Sequence, residues 1–270
     1  MIKRRHMKGF TLMEMVVAIA IGSVVVIFAG MFITAPVDAY EAHSRRSKLI
    51  ADASTAWPRI QADLRHALPN SVRATRNGNV AVLEMLDTVG YAKFEAPPSA
   101  EFAVTGTANG IFGSYQPGAR FAGHLSVGNT GAEAYTQAGS MTPRLPDIQL
   151  AVDGTGTPLV RPGMPIVLPR PSARSRIYLV RGFVAYVCDE RNGTIRRYQG
   201  TNIVANAAAH DSPAELGGAG ELVAQGLGAC NFDALLVTGQ PQVVTARLTT
   251  ASRYNESITV MYRAVVENAP

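Results

Sequence analysis

Cysteine is nearly absent. The 270 residues hold two, Cys188 and Cys230, and neither belongs to a C-x-x-C pair, which removes the simplest thiol-redox and zinc-ribbon chemistries. The two read either as one structural disulfide, which requires an oxidising compartment, or as two reduced core cysteines. Histidine is as sparse: His6, His43, His66, His124 and His210 are scattered without H-E-x-x-H or another close ligand spacing. No metal site and no cofactor is therefore expected. Gly154-Thr155-Gly156 and Gly218-Ala219-Gly220 fail the G-x-G-x-x-G spacing, and no Gly-Lys-Ser/Thr phosphate loop occurs. The run Gly123-His124-Leu125-Ser126-Val127-Gly128 lacks the glycine spacing of a nucleophile elbow and reads as a loop. Asp189, Glu190 and Asn192 gather oxygens beside a turn and are a weak calcium candidate, but turns use these residue types for their own hydrogen bonds. With no catalytic constellation left, the chain is not expected to be an enzyme.

Net basic charge is also less than it first looks. The formal charge is +5, yet Lys3, Arg4, Arg5 and Lys8 all precede Gly9 with no acid among them, and without those four the 25 Lys/Arg become 21 against 20 Asp/Glu. A chain so nearly neutral lacks the electrostatic footprint of a general nucleic-acid binder.

What is present is concentrated at the N-terminus. Met15 to Ile33 is a run of 19 residues without a charge, enough for a helix of roughly 28 Å, close to the hydrocarbon thickness of a bilayer. The basic cluster before it predicts a cytoplasmic leader and an extracytoplasmic remainder, with the lipid bilayer as the first partner. Glu14 sits one place before the uncharged run, where an unpaired carboxylate would cost a few kcal/mol in lipid, on the order of 3 by insertion scales. It needs a partner; if the chain is cut between Gly9 and Phe10, the new α-ammonium of Phe10, or that of a neighbouring subunit, is a candidate. A conventional secretory signal peptide is the competing reading, with Val37-Asp38-Ala39 as its cleavage site, but nothing in a signal peptide calls for an acid at Glu14.

Gly9-Phe10-Thr11-Leu12-Met13-Glu14-Met15-Val16-Val17 resembles the cleavage and methylation motif of type IV pilins and type II secretion pseudopilins. That resemblance implies that a prepilin peptidase cleaves after Gly9 and methylates the amine of Phe10, while Glu14 supports assembly. It also implies the other partners: pilin subunits in a filament and the inner-membrane pilus assembly machinery. The expected location is then the inner membrane, single-pass, with the head in the periplasm, followed by the filament.

Beyond Pro36, apolar or small residues recur at Tyr40, Ser44, Ser47, Ile50, Ala53, Trp57, Ile60, Leu64 and Leu68, steps of three and four that define one helical face. The expected organisation is a leader at 1–9, a transmembrane helix at 10–36, an amphipathic helix at 37–68 and a β-rich head at 69–270. The two helical parts form a rod of roughly 85 Å, which Pro36 and Pro58 should kink or break. In the head, Val80 to Leu86, Arg176 to Val180, Phe183 to Asp189, Thr194 to Tyr198, Val243 to Thr250 and Ser257 to Val266 read as strands, with Asn77-Gly78 and Asn192-Gly193 as turns. A stretch at about 97–175 is rich in Gly and Pro, with seven prolines from Pro143 to Pro171, and reads as long loops with some short strands. The fold class is α+β: a long N-terminal helix packed on a β-rich, pilin-like head.

Segments spread along the chain resemble the minor pilins of the mannose-sensitive haemagglutinin (MSHA) pilus. They are Ala67 to Arg73, Tyr186-Val187-Cys188-Asp189 through Arg196-Arg197-Tyr198, Ala229-Cys230-Asn231-Phe232 and the terminal Val266 to Pro270. The function this implies is a minor subunit that primes assembly or sits at the tip. The alternatives are a minor pseudopilin of type II secretion, or a filament-tip module that binds a surface, a sugar or DNA.

Overall fold

Apolar residues all round one long segment, then alternating runs, produce two structural units, residues 1–48 and 49–270. The computed structural model describes residues 10–95, 99–105, 112, 116–131, 133–136, 140–168, 175–237, 240–251 and 256–266. Among the described residues of the first unit, those beyond Thr11 form one helix, α1 (Leu12–Ser54), whose last turns from Leu49 belong to the second. The helix passes through Pro36 without ending there, whereas the break expected at Pro58 is present just upstream of it. Thr55 is a bend, and α2 (Ala56–Arg65) carries Pro58 in its first turn, where a missing N–H costs nothing. The Ser54 and Thr55 hydroxyls both donate to the Ala51 carbonyl at 2.9 Å, satisfying a group at the interruption.

The second unit is built on a long antiparallel ribbon. Its strands are β1 (Arg73–Asn77), β2 (Val80–Phe94), β3 (Phe102–Thr105), β4 (Arg120–Val127), β5 (Leu145–Val152), β6 (Pro158–Arg161), β7 (Arg176–Asp189), β8 (Thr194–Gly200), β9 (Glu221–Gln225), β10 (Leu227–Leu235), β11 (Gln242–Ala251) and β12 (Ser257–Val266). β2 and β7 pair along nearly their whole length, from Val80↔Asp189 to Lys93↔Arg176, with register shifts between Asp87 and Gly90. At one end β1 flanks β2, and β8 and β9 flank β7. At the other end β3, β6, β5 and β4 run from the edge of β2 round to the edge of β7, closing a six-stranded antiparallel ring. β10, β11 and β12 form a separate three-stranded sheet.

Fewer than half of the described residues of 97–175 lie in strands, as the reading of loops with some short strands expects, but β3, β4, β5 and β6 all come from it and join β2 and β7 around a core that includes Phe102, Phe112, Leu125, Ile148, Val160 and Leu179. The Gly123–Gly128 run is not a loop, because β4 covers most of it. The ribbon changes partners where only glycine fits. A Cβ on Gly90 would lie 2.3 Å from the Phe112 carbonyl oxygen, and one on Gly182 would lie 2.0 Å from that of Gly200.

A second core joins both sheets to the helix. Ala53, Ala56, Trp57, Ile60 and Leu64 pack with Leu83, Met85 and Tyr186 of the ribbon and with Phe232, Val244 and Leu248 of the small sheet. The buried helical stripe enters this unit at Leu49, not at the expected Ile50, which is exposed. Leu49, Ala53, Trp57, Ile60 and Leu64 repeat at steps of four, four, three and four, leaving Ile50 about 100° off that line. Helix α2 stops at Arg65, short of Leu68, because the chain then pairs with β2: Leu68 N–H donates to the Leu86 carbonyl and Thr88 N–H to that of His66, both at 2.8 Å.

The opposite face of the ribbon is covered by segments carrying α3 (Glu133–Thr136) and α4 (Pro213–Leu216). A buried charge cluster fastens the second of these. Glu84, 2% exposed, accepts from Arg73 Nε at 3.0 Å and Nη2 at 2.8 Å, and its other oxygen meets His210 Nδ1 at 3.1 Å. Arg73 also donates to the carbonyls of Val204 and Ala205, so the cluster leaves none of its charges bare.

Candidate membrane anchor and assembly site

Leu12–Gly30 is a 19-residue helical stretch long and apolar enough to cross a membrane, and its side chains are exposed on every side. A helix apolar all round is suited to lipid or to other such helices, not to a surface stripe. Ser23 supplies a hydroxyl within the span, and it donates to the Ala20 carbonyl at 2.8 Å, so this polar group is satisfied inside the helix.

Phe10 and Thr11 precede the helix, and Phe10 is 83% exposed. Gly9 lies outside the described residues. An exposed, non-helical Phe10 leaves its backbone open to a peptidase, which a helical start one turn earlier would not.

The helix begins with a capping box. Thr11 Oγ1 accepts from Glu14 N–H at 3.2 Å, while Glu14 Oε2 accepts from Thr11 N–H and from the Thr11 hydroxyl, each at 3.0 Å. Two otherwise unpartnered helical donors are satisfied reciprocally, and the carboxylate lies at the positive end of the helix dipole. Thr11 is therefore a partner of Glu14 within the chain, in addition to the α-ammonium expected after cleavage. The signal was available as T-x-x-E immediately before an apolar run. The expected cleavage after Gly9 would leave Thr11 and Glu14 both in place, and with them the box and further acceptor capacity on Glu14 for an amine.

Cys188 and Cys230 form a disulfide between β7 and β10, with Cα atoms 6.4 Å apart, and both are buried. It ties the ribbon to the three-stranded sheet. Glu190 and Arg76 hold the backbone at one end: Glu190 Oε1 accepts from Cys230 N–H at 3.1 Å and from Arg76 Nη2 at 2.8 Å, and Arg76 Nη1 donates to the Cys230 carbonyl at 2.8 Å. These bonds occupy Glu190 of the calcium candidate, while Asp189 and Asn192 stay bonded to each other through Asn192 Nδ2. Asp189 accepts from the N–H groups of Arg191 and Asn192 in its own turn, while Glu190 faces the disulfide. Among the described residues no group of three His, Cys, Asp or Glu gathers as a metal site.

Helix α2 is locked to the ribbon by one carboxylate. Asp63 accepts from the Tyr186 hydroxyl at 2.5 Å and from Arg197 Nε at 2.6 Å, an arrangement the helical periodicity gave no reason to expect. Burial and the neighbouring Asp63 push the Tyr186 phenol far above its ordinary range, so it stays a donor.

Residues 4–30 match the family model described as the prokaryotic N-terminal methylation motif. No curated protein and no solved structure matches the chain. The motif, with the apolar helix it leads into, supports a type IV pilin-like or pseudopilin-like protein, anchored in a membrane, that is processed by a prepilin peptidase and assembles with other pilin subunits.

Proposed function

We propose that this chain is a minor pilin, a non-catalytic subunit that primes assembly of an MSHA-like type IV pilus or sits at its tip. The observation that carries the reading is the N-terminal motif running into a helix that is apolar on every side, with one acid, Glu14, held at its start. The head would lie in the periplasm, because the basic leader stays cytoplasmic. Prepilin peptidase would remove residues 1–9 and methylate the Phe10 amine. The helix would then leave the bilayer for the filament, and Glu14 would accept a neighbouring amine, a charge pairing that sets register. The size of the head supports a minor role. A six-stranded ring and a separate sheet added to one helix are bulky to repeat at every position of a filament, and fit a subunit present in few copies.

The test is the mature N-terminus, determined by mass spectrometry on the membrane fraction with and without co-expressed prepilin peptidase. A start at N-methylated Phe10 that requires the peptidase is expected; a start near Tyr40 would mean signal-peptide release and would overturn the reading. A deletion that stops protein export while leaving pili intact would place the subunit in type II secretion instead.

A further inference from the structure

β12 is the outer strand of the three-stranded sheet, and among the described residues no strand pairs with its far edge. Its ladder with β11 runs from Gln242↔Val266 to Ala251↔Ser257 without a register shift, and it contains no proline. Proteins usually blunt so long and regular an edge with a bulge, a proline or a covering element. Beside the C-terminal half of β12 lies a groove of about 430 Å³, lined by Gln61, Leu64, Arg65 and Ala67 of the α2 segment and by Arg263 to Val266. Its charged lining is cationic only. Arg65 and Arg263 are both exposed, and among the described residues neither has an acid partner. The acid on the same sheet face, Asp233, stands two strands away and accepts from Asn231 Nδ2 at 3.2 Å.

We propose that this edge is a docking site for an extended segment of a different subunit, which adds as a strand beside β12 and places a carboxylate between Arg65 and Arg263. Main-chain bonds to the open ladder supply affinity in such an addition, and the side chains met in the groove supply selectivity. Charge identifies the occupant: a second copy pairing edge to edge through its own β12 would bring a further Arg263 and, within that strand, no acid, which disfavours that self-pairing. The inference rests on the filament reading only for the partner being a neighbouring subunit.

The experiment uses the full-length chain in detergent micelles. The probe is a synthetic strand of about ten residues, alternating Thr and Val, with one Glu placed to face Arg263 and alternate amides N-methylated along one edge to prevent self-assembly. A matched peptide carries Lys in place of Glu. The Glu peptide is expected to bind about tenfold more tightly than the Lys peptide and to slow amide exchange in Val260 to Val266. The double substitution Arg65→Glu with Arg263→Glu, checked for native circular dichroism, should reverse the peptide preference. Equal binding of the two peptides, or binding without protection of β12, would overturn the proposal. So would a peptide-free dimer with β12 already protected, which would assign the edge to a second copy. A mature chain that does not start at Phe10 would defeat the filament reading and leave the peptide result standing.

Discussion

Single side chains in this protein act as clamps at places where distant segments meet. Glu190 is one whose charge can be read out. Burial raises its pKa, but the Arg76 guanidinium and the Cys230 N–H outweigh that and hold the carboxylate below its ordinary value of 4.5. A depressed carboxylate contributes stability that is fully present above the unfolded value and is lost as pH falls through the folded one. Glu190→Gln keeps the shape and removes the charge. The gap in urea midpoint between wild type and variant should therefore be constant at neutral pH and close progressively below about pH 4.5. A gap of the same size at every pH would show that the charge contributes nothing. Such clamps are poorly legible in sequence because their members are remote, as with Asp63 and Arg197 or Glu84 and His210. Thr11 is the exception: it lies three residues from Glu14, within the reach of a local rule.

Elements were legible where the pattern is local and long. The apolar span, the hairpin at Asn192-Gly193 and the β11–β12 pair follow from composition, a two-residue turn and alternation. The ring of β2 to β7 did not, because its closure depends on non-local pairs such as Phe102↔Val160, and β3 and β6 are only four residues each. β7 read as two strands because Arg181-Gly182 interrupts its apolar run, yet the ladder to β2 continues through it. At this scale the helix start is the element to test. Thr11→Val removes the hydroxyl that accepts from Glu14 N–H, and losing such a cap costs about 1 kcal/mol. In detergent micelles, amide exchange at Met13 to Met15 should become roughly fivefold faster, with Thr11→Ser restoring the wild-type rate. Unchanged exchange in Thr11→Val would mean that the box does not hold the helix start.

In the whole molecule, the anchor and the head pose separate stability problems. The span from Leu12 to Gly30 is a continuous helix with its backbone hydrogen bonds made internally, so it does not need the head in order to fold in lipid. The head needs its two sheets held together, and they share one core, one disulfide and the Arg76–Glu190 clamp. The cysteines enclose a sequence separation of 42 residues, for which the chain-entropy model gives about 4 kcal/mol at room temperature, a large part of a head domain's stability. Replacing both cysteines with alanine should lower the urea-unfolding free energy of the head by about that amount, and reduced wild type should match the double variant. Processing should be untouched, because Phe10, Thr11 and Glu14 lie in the other unit. The double variant should therefore yield a mature chain starting at Phe10 whose head unfolds early. A loss below about 1 kcal/mol would mean that the shared core and the Arg76–Glu190 clamp hold the sheets together without the disulfide, and failed cleavage would mean that the peptidase requires the folded head.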